Sequence, residues 1–407
     1  MAEGNSKGLT KAPKITNRGD DDVVVGFDRL SDLPDSILHH ILSFLDTKSL
    51  FRTGLLSRRW GCMWKQVPAL YFRCNYFRSM SSFEQHVLKF LSLRSNDSAA
   101  VSSVTFKDWS WKGKDSKSCF LDLFDRVMKH AASQGPRRSL HHLSICLSTT
   151  SCCPDLVDSA ASIKAHHHHE SLKTLNLKLC TLTFGGSGAT PFSGFNLLTN
   201  LELKDCHLYH PVEPFVDLPC LKHLKLLDCN PWSSSLLRVS GSELLDLQIQ
   251  YPPDSLEKVE VFAPKLKSFC FWGYVEQLGQ LNLPSLDHAS IRVRIKQMEA
   301  TNRACVKLLP QLHNVESLNL RFDKVTKNQG RWEQHEFPLI SSTELLAGLQ
   351  VSPFTRLKSL KVWYPFKPPT LPYQVLRYFL DGSSHTVKSF IFERKPERTP
   401  RHEIAFW

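Results

Sequence analysis

The sequence predicts an α/β protein: a small N-terminal helical unit, then a solenoid of strand-and-return repeats with a parallel sheet on its concave side. Three observations carry this. Residues 28–72 place large apolar side chains at helical spacing. Beyond residue 100 the pattern L-x-x-L-x-L keeps returning. No window of ~18 apolar residues occurs, so no membrane span is expected.

The helical unit reads as three short amphipathic segments. Asp32 is expected to cap the first, with Pro34 inside its first turn, where a missing N–H is harmless. Ile37, Ile41, Leu42 and Leu45 then recur at helical spacing. Asp46 can cap a second helix holding Leu50, Leu55 and Leu56. A third holds Trp60 and Trp64 at i, i+4, with Arg58 and Arg59 as its solvated start. So small a unit has more large apolar side chains than it can bury alone, which points to a partner surface.

Leu33-Pro34, Ile41-Leu42, Phe44-Leu45, Leu50, Leu55-Leu56-Ser57, Arg58-Arg59-Trp60 and Trp64 together resemble the F-box. The Leu-Pro opening, the mid-motif aliphatics and the (Ser/Cys)-(Arg/Lys)-x-Trp close all stand in order. Ser57 replaces the Cys of many members. The resemblance implies docking onto the Skp-type adaptor of an SCF ubiquitin ligase, and through it a cullin. The adaptor-binding residues it implies are Leu33, Pro34, Ile37, Ile41, Leu42, Leu45, Leu50, Leu55 and Trp60. It also implies a non-catalytic subunit, because catalysis in that family belongs to other subunits.

Around this unit, residues 1–26 are polar and read as a disordered tail, and 27–73 as the F-box. Residues 74–100 hold Phe83, Val87, Leu88, Phe90 and Leu91, a linker helix. The repeats occupy 101–365, and 366–407 form a helix-strand module and tail.

The repeat copies begin at Leu140, Leu172, Leu198, Leu221, Leu244, Leu266, Leu286, Val315 and Leu357, with Val101-Val104-Phe106 as an opening copy. From Leu172 to Leu286 the step is 20 to 26 residues, which suits leucine-rich repeats. One strand and its return cannot bury their own apolar face, whereas stacked copies make a continuous core. Cys180, Cys206 and Cys229 stand three residues after the last apolar position, where a buried side chain packs against the turn.

An F-box followed by irregular repeats resembles the plant F-box/leucine-rich-repeat class. Some of that class end in an extra module, and residues 370–394 read as a degenerate FBD-like helix and strand. The gap before Leu357 holds a loop around Trp332, then a helix from Ser342 to Leu349. Long insertions of this kind often lie over a binding face.

Composition narrows the chemistry. The chain has 407 residues, and 51 basic against 39 acidic residues give a net charge of +12. This balance suits acidic peptides, phosphorylated partners or nucleic acid. The 12 cysteines lie scattered and lack paired C-x-x-C spacing, which predicts reduced thiols in the cytoplasm and/or nucleus. The first residues lack the apolar stretch of a secretory signal. His166-His167-His168-His169 has no partnering Cys or acidic cluster and reads as a solvated patch, not a metal site. Cys152-Cys153 lack an activating base, and Gly185-Gly186-Ser187-Gly188 lacks the Lys-Ser/Thr of a phosphate loop. No catalytic residue, metal or cofactor is expected.

Binding is expected on the sheet. Strand residues between the leucines face outward, among them Lys225, Gln250, Trp272, Arg292, Arg321 and Trp363. Trp272, Arg292 and Arg321 hold one position in successive copies, so a regular solenoid stacks them into an aromatic-cationic patch. The expected target-binding set is Trp272, Arg292, Arg321, Lys225 and Trp363, of residue types favoured in binding hot spots. The function predicted is substrate receptor, the repeats holding a target protein. A small-molecule or inositol-phosphate sensor on the same scaffold is the alternative the resemblance leaves open. Glu202, Asp246 and Glu316 interrupt the basic face and count against a nucleic-acid track.

Overall fold

A computed structural model describes residues 32–94, 99–109, 116–133, 140–148, 163–182, 192–208, 213–231, 236–251, 258–295, 297–324, 354–364, 378–379 and 389–394. The N-terminal tail, Cys152-Cys153, the glycine run at 185–188, the loop around Trp332 and the helix expected from Ser342 lie outside these residues.

The helical unit contains α1 (Asp35–Leu42), α2 (Thr47–Thr53) and α3 (Trp60–Met63). Pro34, not Asp32, stands at the N-cap of α1, and no side chain caps it. Pro34 offers no side-chain acceptor to the N–H groups that open the helix, so they go without a side-chain cap. Asp46 caps α2 as expected: its Oδ1 accepts from the N–H groups of Lys48 at 3.1 Å and Ser49 at 3.0 Å. The third segment is shorter than its i, i+4 spacing suggested. It tightens into a single 3-10 turn over Trp64–Gln66, and the Trp64 indole donates to the Gly61 carbonyl at 3.0 Å.

Twelve parallel strands form one sheet, laid down in chain order. They are β1 (Ala69–Arg73), β2 (Ser103–Trp109), β3 (His142–Leu147), β4 (Thr174–Lys178), β5 (Asn200–Lys204) and β6 (His223–Leu227). They continue as β7 (Asp246–Gln250), β8 (Ser268–Tyr274), β9 (His288–Ile295), β10 (Ser317–Lys324), β11 (Ser359–Tyr364) and β12 (Ser389–Arg394). This is the solenoid the repeat predicted, with the opening copy at Val104 and Phe106 included. The sheet starts one strand earlier than expected. Leu70 and Phe72 alternate inward on β1, inside the segment assigned to the F-box.

The return segments vary. Between β2 and β3 runs α5 (Ser116–Ser133), and between β9 and β10 runs α6 (Met298–Leu308). Other returns form strands: Leu236–Ser240, Lys258–Phe262 and Leu278–Asn282 pair in parallel as a second sheet, and the two-residue strands Thr181–Leu182, His207–Leu208 and Asn230–Pro231 pair as a third. These strands gain hydrogen-bond partners only from the neighbouring repeat, so a period counted on the leucines does not reveal them. The linker helix α4 (Met80–Leu93) forms as expected, with Ser79 as its cap and Phe83, Val87, Phe90 and Leu91 buried. β12 pairs with β11 in the same sheet, so the C-terminal strand extends the solenoid.

One core runs from Leu38 in α1 to Phe379. The helical unit is therefore not a separate body. The Trp64 ring lies 5.4 Å from Phe51 and 5.0 Å from Phe90, and Phe72 stacks on Phe106 at 5.3 Å. Aromatic contacts thus lead from α2 through the linker helix into the first repeats.

The regular central repeats turn in the same way. Leu179, Asp205 and Asp228 take positive φ of 58°, 51° and 52°, each just before a buried cysteine. The two aspartates suit that left-handed turn better than the leucine does. The Cys206 thiol donates to the Leu177 carbonyl at 3.5 Å and Cys229 to the Leu203 carbonyl at 3.3 Å, each reaching back one repeat. Burial pushes the Cys229 thiol well up, which keeps it protonated and inert.

The histidine run corrects its sequence reading. His168 is buried, and its Nε2 lies 2.9 Å from the Met128 carbonyl of α5. His166 reaches Asp125 of the same helix at 3.1 Å. The run docks a return segment onto α5 instead of forming a solvated patch. Among the described residues, no cluster of three or more His, Cys, Asp or Glu could hold a metal ion.

Candidate functional site

Two surfaces stand out, one on the helical unit and one on the sheet. On the helical unit, amphipathic spacing divides the apolar residues. Leu38, Leu42, Leu50, Trp60 and Trp64 point into the core. Ile37, Ile41, Phe44, Leu55 and Leu56 face outward, with Phe44, Leu55 and Leu56 70%, 86% and 69% exposed. A cluster of large apolar side chains this exposed marks an interaction site.

Of the residues expected to touch an adaptor, Pro34, Ile37, Ile41 and Leu55 are exposed. Leu33 and Leu45 are half-buried and pack on the core. Leu42, Leu50 and Trp60 must be corrected. They are buried in this chain's own core and hold the helices in place, so they are not surface contacts. Phe44 and Leu56 were in the motif but not in the expected site. Only the packing of α1 and α2 decides which side of each helix remains open.

Polar contacts fix the opening of this unit. Arg59 donates to the Leu33 carbonyl at 2.6 Å and pairs with Asp35 at 2.5 Å. That hydrogen bond holds the Asp35 carboxyl below its usual range. Thr47 meets His86 of α4 at 3.3 Å. Burial, helped by the Lys48 charge, pushes the His86 pKa down to about 4 and keeps it neutral.

On the sheet, the strand register tests the predicted patch directly. Trp272 of β8 pairs with Arg292 of β9, Arg292 with Arg321 of β10, and Arg321 with Trp363 of β11. The four side chains form one row, because the long insertions leave the main sheet at its returns without shifting the strands. Beside Trp272, Gly273 leaves room for the Phe271 ring, since a Cβ there would lie 2.8 Å from it.

The row is more elaborate than expected. The Arg292 guanidinium lies over the Trp272 ring at 4.0 Å, and that of Arg294 at 4.8 Å. Arg321 lies 5.8 Å from the Trp363 ring. Asp323 of β10 accepts from the Nε of both Arg292 and Arg321, the latter at 3.3 Å. Arg294 and Asp323 escaped the sequence reading because they follow the L-x-x-L-x-L unit, where strand length is not fixed by the pattern. Lys225 does not join the row. It sits on β6, registers with Gln248 and pairs with Glu202 at 3.7 Å.

A helical unit with an open apolar side, continuous with a parallel-sheet solenoid that presents a polar face, defines the architectural class of this chain. Comparison with known proteins makes the class specific. Residues 30–70 match the F-box domain family. An F-box/LRR-repeat protein of Arabidopsis thaliana is 27% identical over 337 residues, covering 74% of this chain and 61% of the relative. An F-box/FBD/LRR-repeat protein of the same plant is 26% identical over 314 residues, covering 74% and 60%. An F-box protein, again from that plant, is 26% identical over 243 residues, covering 58% and 74%. The chain carries an F-box domain at residues 30–70, and its resemblance to F-box/leucine-rich-repeat proteins covers about three quarters of its length. It spans about 60% of the length of the first two of these relatives.

Proposed function

We propose that this protein is the substrate-recognition subunit of an SCF-type ubiquitin ligase. Its F-box docks a Skp-type adaptor, and through it a cullin, while its repeat sheet holds a target protein. The observation that carries this is the open apolar side of the F-box, formed by Ile37, Ile41, Phe44, Leu55 and Leu56 on helices otherwise locked into the core. The mechanism is proximity: a bound target has its lysines held near a ubiquitin-charged enzyme, which raises their effective concentration. No catalytic group is required of this chain. The relatives' names support the F-box part of the reading, and the continuous core supports rigid transmission of position from one surface to the other. The ten described cysteines carry reduced thiols, which fits a cytoplasmic or nuclear setting.

The test is adaptor capture by the full chain. Phe44→Ala with Leu55→Ala removes exposed apolar area while sparing the core. Truncating hot-spot residues typically costs ~2 kcal/mol or more each, so capture should fall by well over tenfold. An unchanged melting curve would show that the fold is intact. Undiminished capture by the folded double variant would refute the proposal.

A further inference from the structure

We propose that the row Trp272–Arg292–Arg294–Arg321–Trp363 is a docking site for an extended, carboxylate-rich peptide segment of the target protein. The inference rests on the receptor reading above and specifies the chemistry its sheet would recognise.

Charge is the first argument. Arg292, Arg294 and Arg321 lie together on adjacent strands, Asp323 is ion-paired with Arg292 and Arg321, and Glu393 of β12 registers with Trp363 at the end of the row. On β9 and β10 these three arginines against Asp323 leave a local excess of two positive charges. Elsewhere on the face Lys225 pairs with Glu202, and Lys178 and Lys204 register side by side on β4 and β5. What singles out β9 and β10 is that their positive charge is carried by guanidiniums braced on tryptophan rings.

Geometry is the second argument. Asp323 engages the Nε of two guanidiniums at once, so a carboxylate already fits between Arg292 and Arg321. Bonding through Nε braces each guanidinium while the terminal edge of its fork can serve another acceptor. Stacking on Trp272 and Trp363 braces the arginines further and leaves less rotamer entropy to lose on binding. Asp323 is therefore a positioning residue, 14% exposed and beneath the surface it organises.

Size is the third argument. Trp272 and Trp363 lie three strand spacings apart, roughly 14 Å at ~4.8 Å per strand. An extended peptide crossing the strands advances ~3.3 Å per residue, so about four or five residues cover the row. Alternate acidic side chains of such a segment would meet the arginine forks.

Fluorescence anisotropy with labelled hexaglutamate, hexaglutamine and a neutral hexapeptide bearing one phosphoserine tests this on the full chain. Hexaglutamate should bind saturably and weaken with salt, and hexaglutamine should not bind. Arg292→Gln, Arg294→Gln and Arg321→Gln together should weaken hexaglutamate at least tenfold. Replacing Lys129, Lys258 and Lys265 with Gln removes as much charge away from the row and should change affinity less than twofold. Arg292→Lys with Arg321→Lys keeps the charge and the fold but loses the forks, and should weaken binding several-fold. Equal losses in the two triple variants would reduce the effect to net charge and overturn the proposal. Tenfold tighter binding of the phosphoserine peptide would overturn the assignment to carboxylates. If adaptor capture succeeds and hexaglutamate fails, this inference falls alone; if capture fails and hexaglutamate binds, the receptor reading falls alone.

Discussion

On the F-box, Phe44, Leu55 and Leu56 stand in solvent on helices whose opposite sides are fixed in the core. On the sheet, the outward residues of β8 to β11 include arginines stacked on tryptophans, while every second residue is buried. The first surface offers large apolar side chains. The second offers organised charge on a rigid pleat. Both surfaces belong to one continuous core, yet they suit partners of opposite chemistry. An apolar helical face favours a permanent or obligate-like partner, and a forked cationic row favours a reversible, salt-sensitive one.

The comparison is sharpest if the two regions unfold together. Trp64→Ala removes a side chain packed between Phe51 and Phe90. A loss of about 3–5 kcal/mol is expected. Because the core is continuous, a single cooperative denaturant transition should shift as a whole. Two transitions, with the later one unmoved, would show that the F-box and the solenoid are energetically separate.

Acid should weaken the joint region between the helical unit and the first repeats. His86 and His130 are each pushed down to about 4 from 6.5, in both cases by burial first and a nearby cation second. The folded state keeps both neutral, while the unfolded chain binds protons below about 6.5. Stability is therefore full above pH 6.5 and declines as the pH falls toward 4, by on the order of 2–3 kcal/mol per histidine. Urea titrations at several pH values across this window would read the slope. Stability that stays flat from pH 7 to 4.5 would contradict the neutral burial of both rings.

The smallest expected effect separates the regions most cleanly. Cys206 belongs to the solenoid alone, where its thiol reaches back to the Leu177 carbonyl. Cys206→Ala should lower stability by about 1 kcal/mol, the scale of one buried heavy atom and its small cavity. Adaptor capture at permissive temperature should be unaffected. Lost capture by the folded variant would mean that the repeat interior controls the F-box surface.

Several features were legible in the residues themselves. The leucine period fixed the parallel solenoid because apolar residues at alternate positions of a strand must face inward. The same period placed Trp272, Arg292, Arg321 and Trp363 in one row, since each holds one place in its copy. Asp46 announced its cap, and the cysteine ladder announced its turn, because both are local backbone requirements. Other features depended on distant parts of the chain. Leu42, Leu50 and Trp60 resembled Ile37, Ile41 and Leu55 in the motif, and only the packing of α1, α2 and β1 divided core from surface. His168 became a buried hydrogen-bonding group because α5 lies beside it. Arg294 and Asp323 entered the row because β9 and β10 run past the repeat pattern. Periodicity and local turns are set by a few neighbouring residues, whereas burial and charge pairing are set by whatever the fold brings alongside.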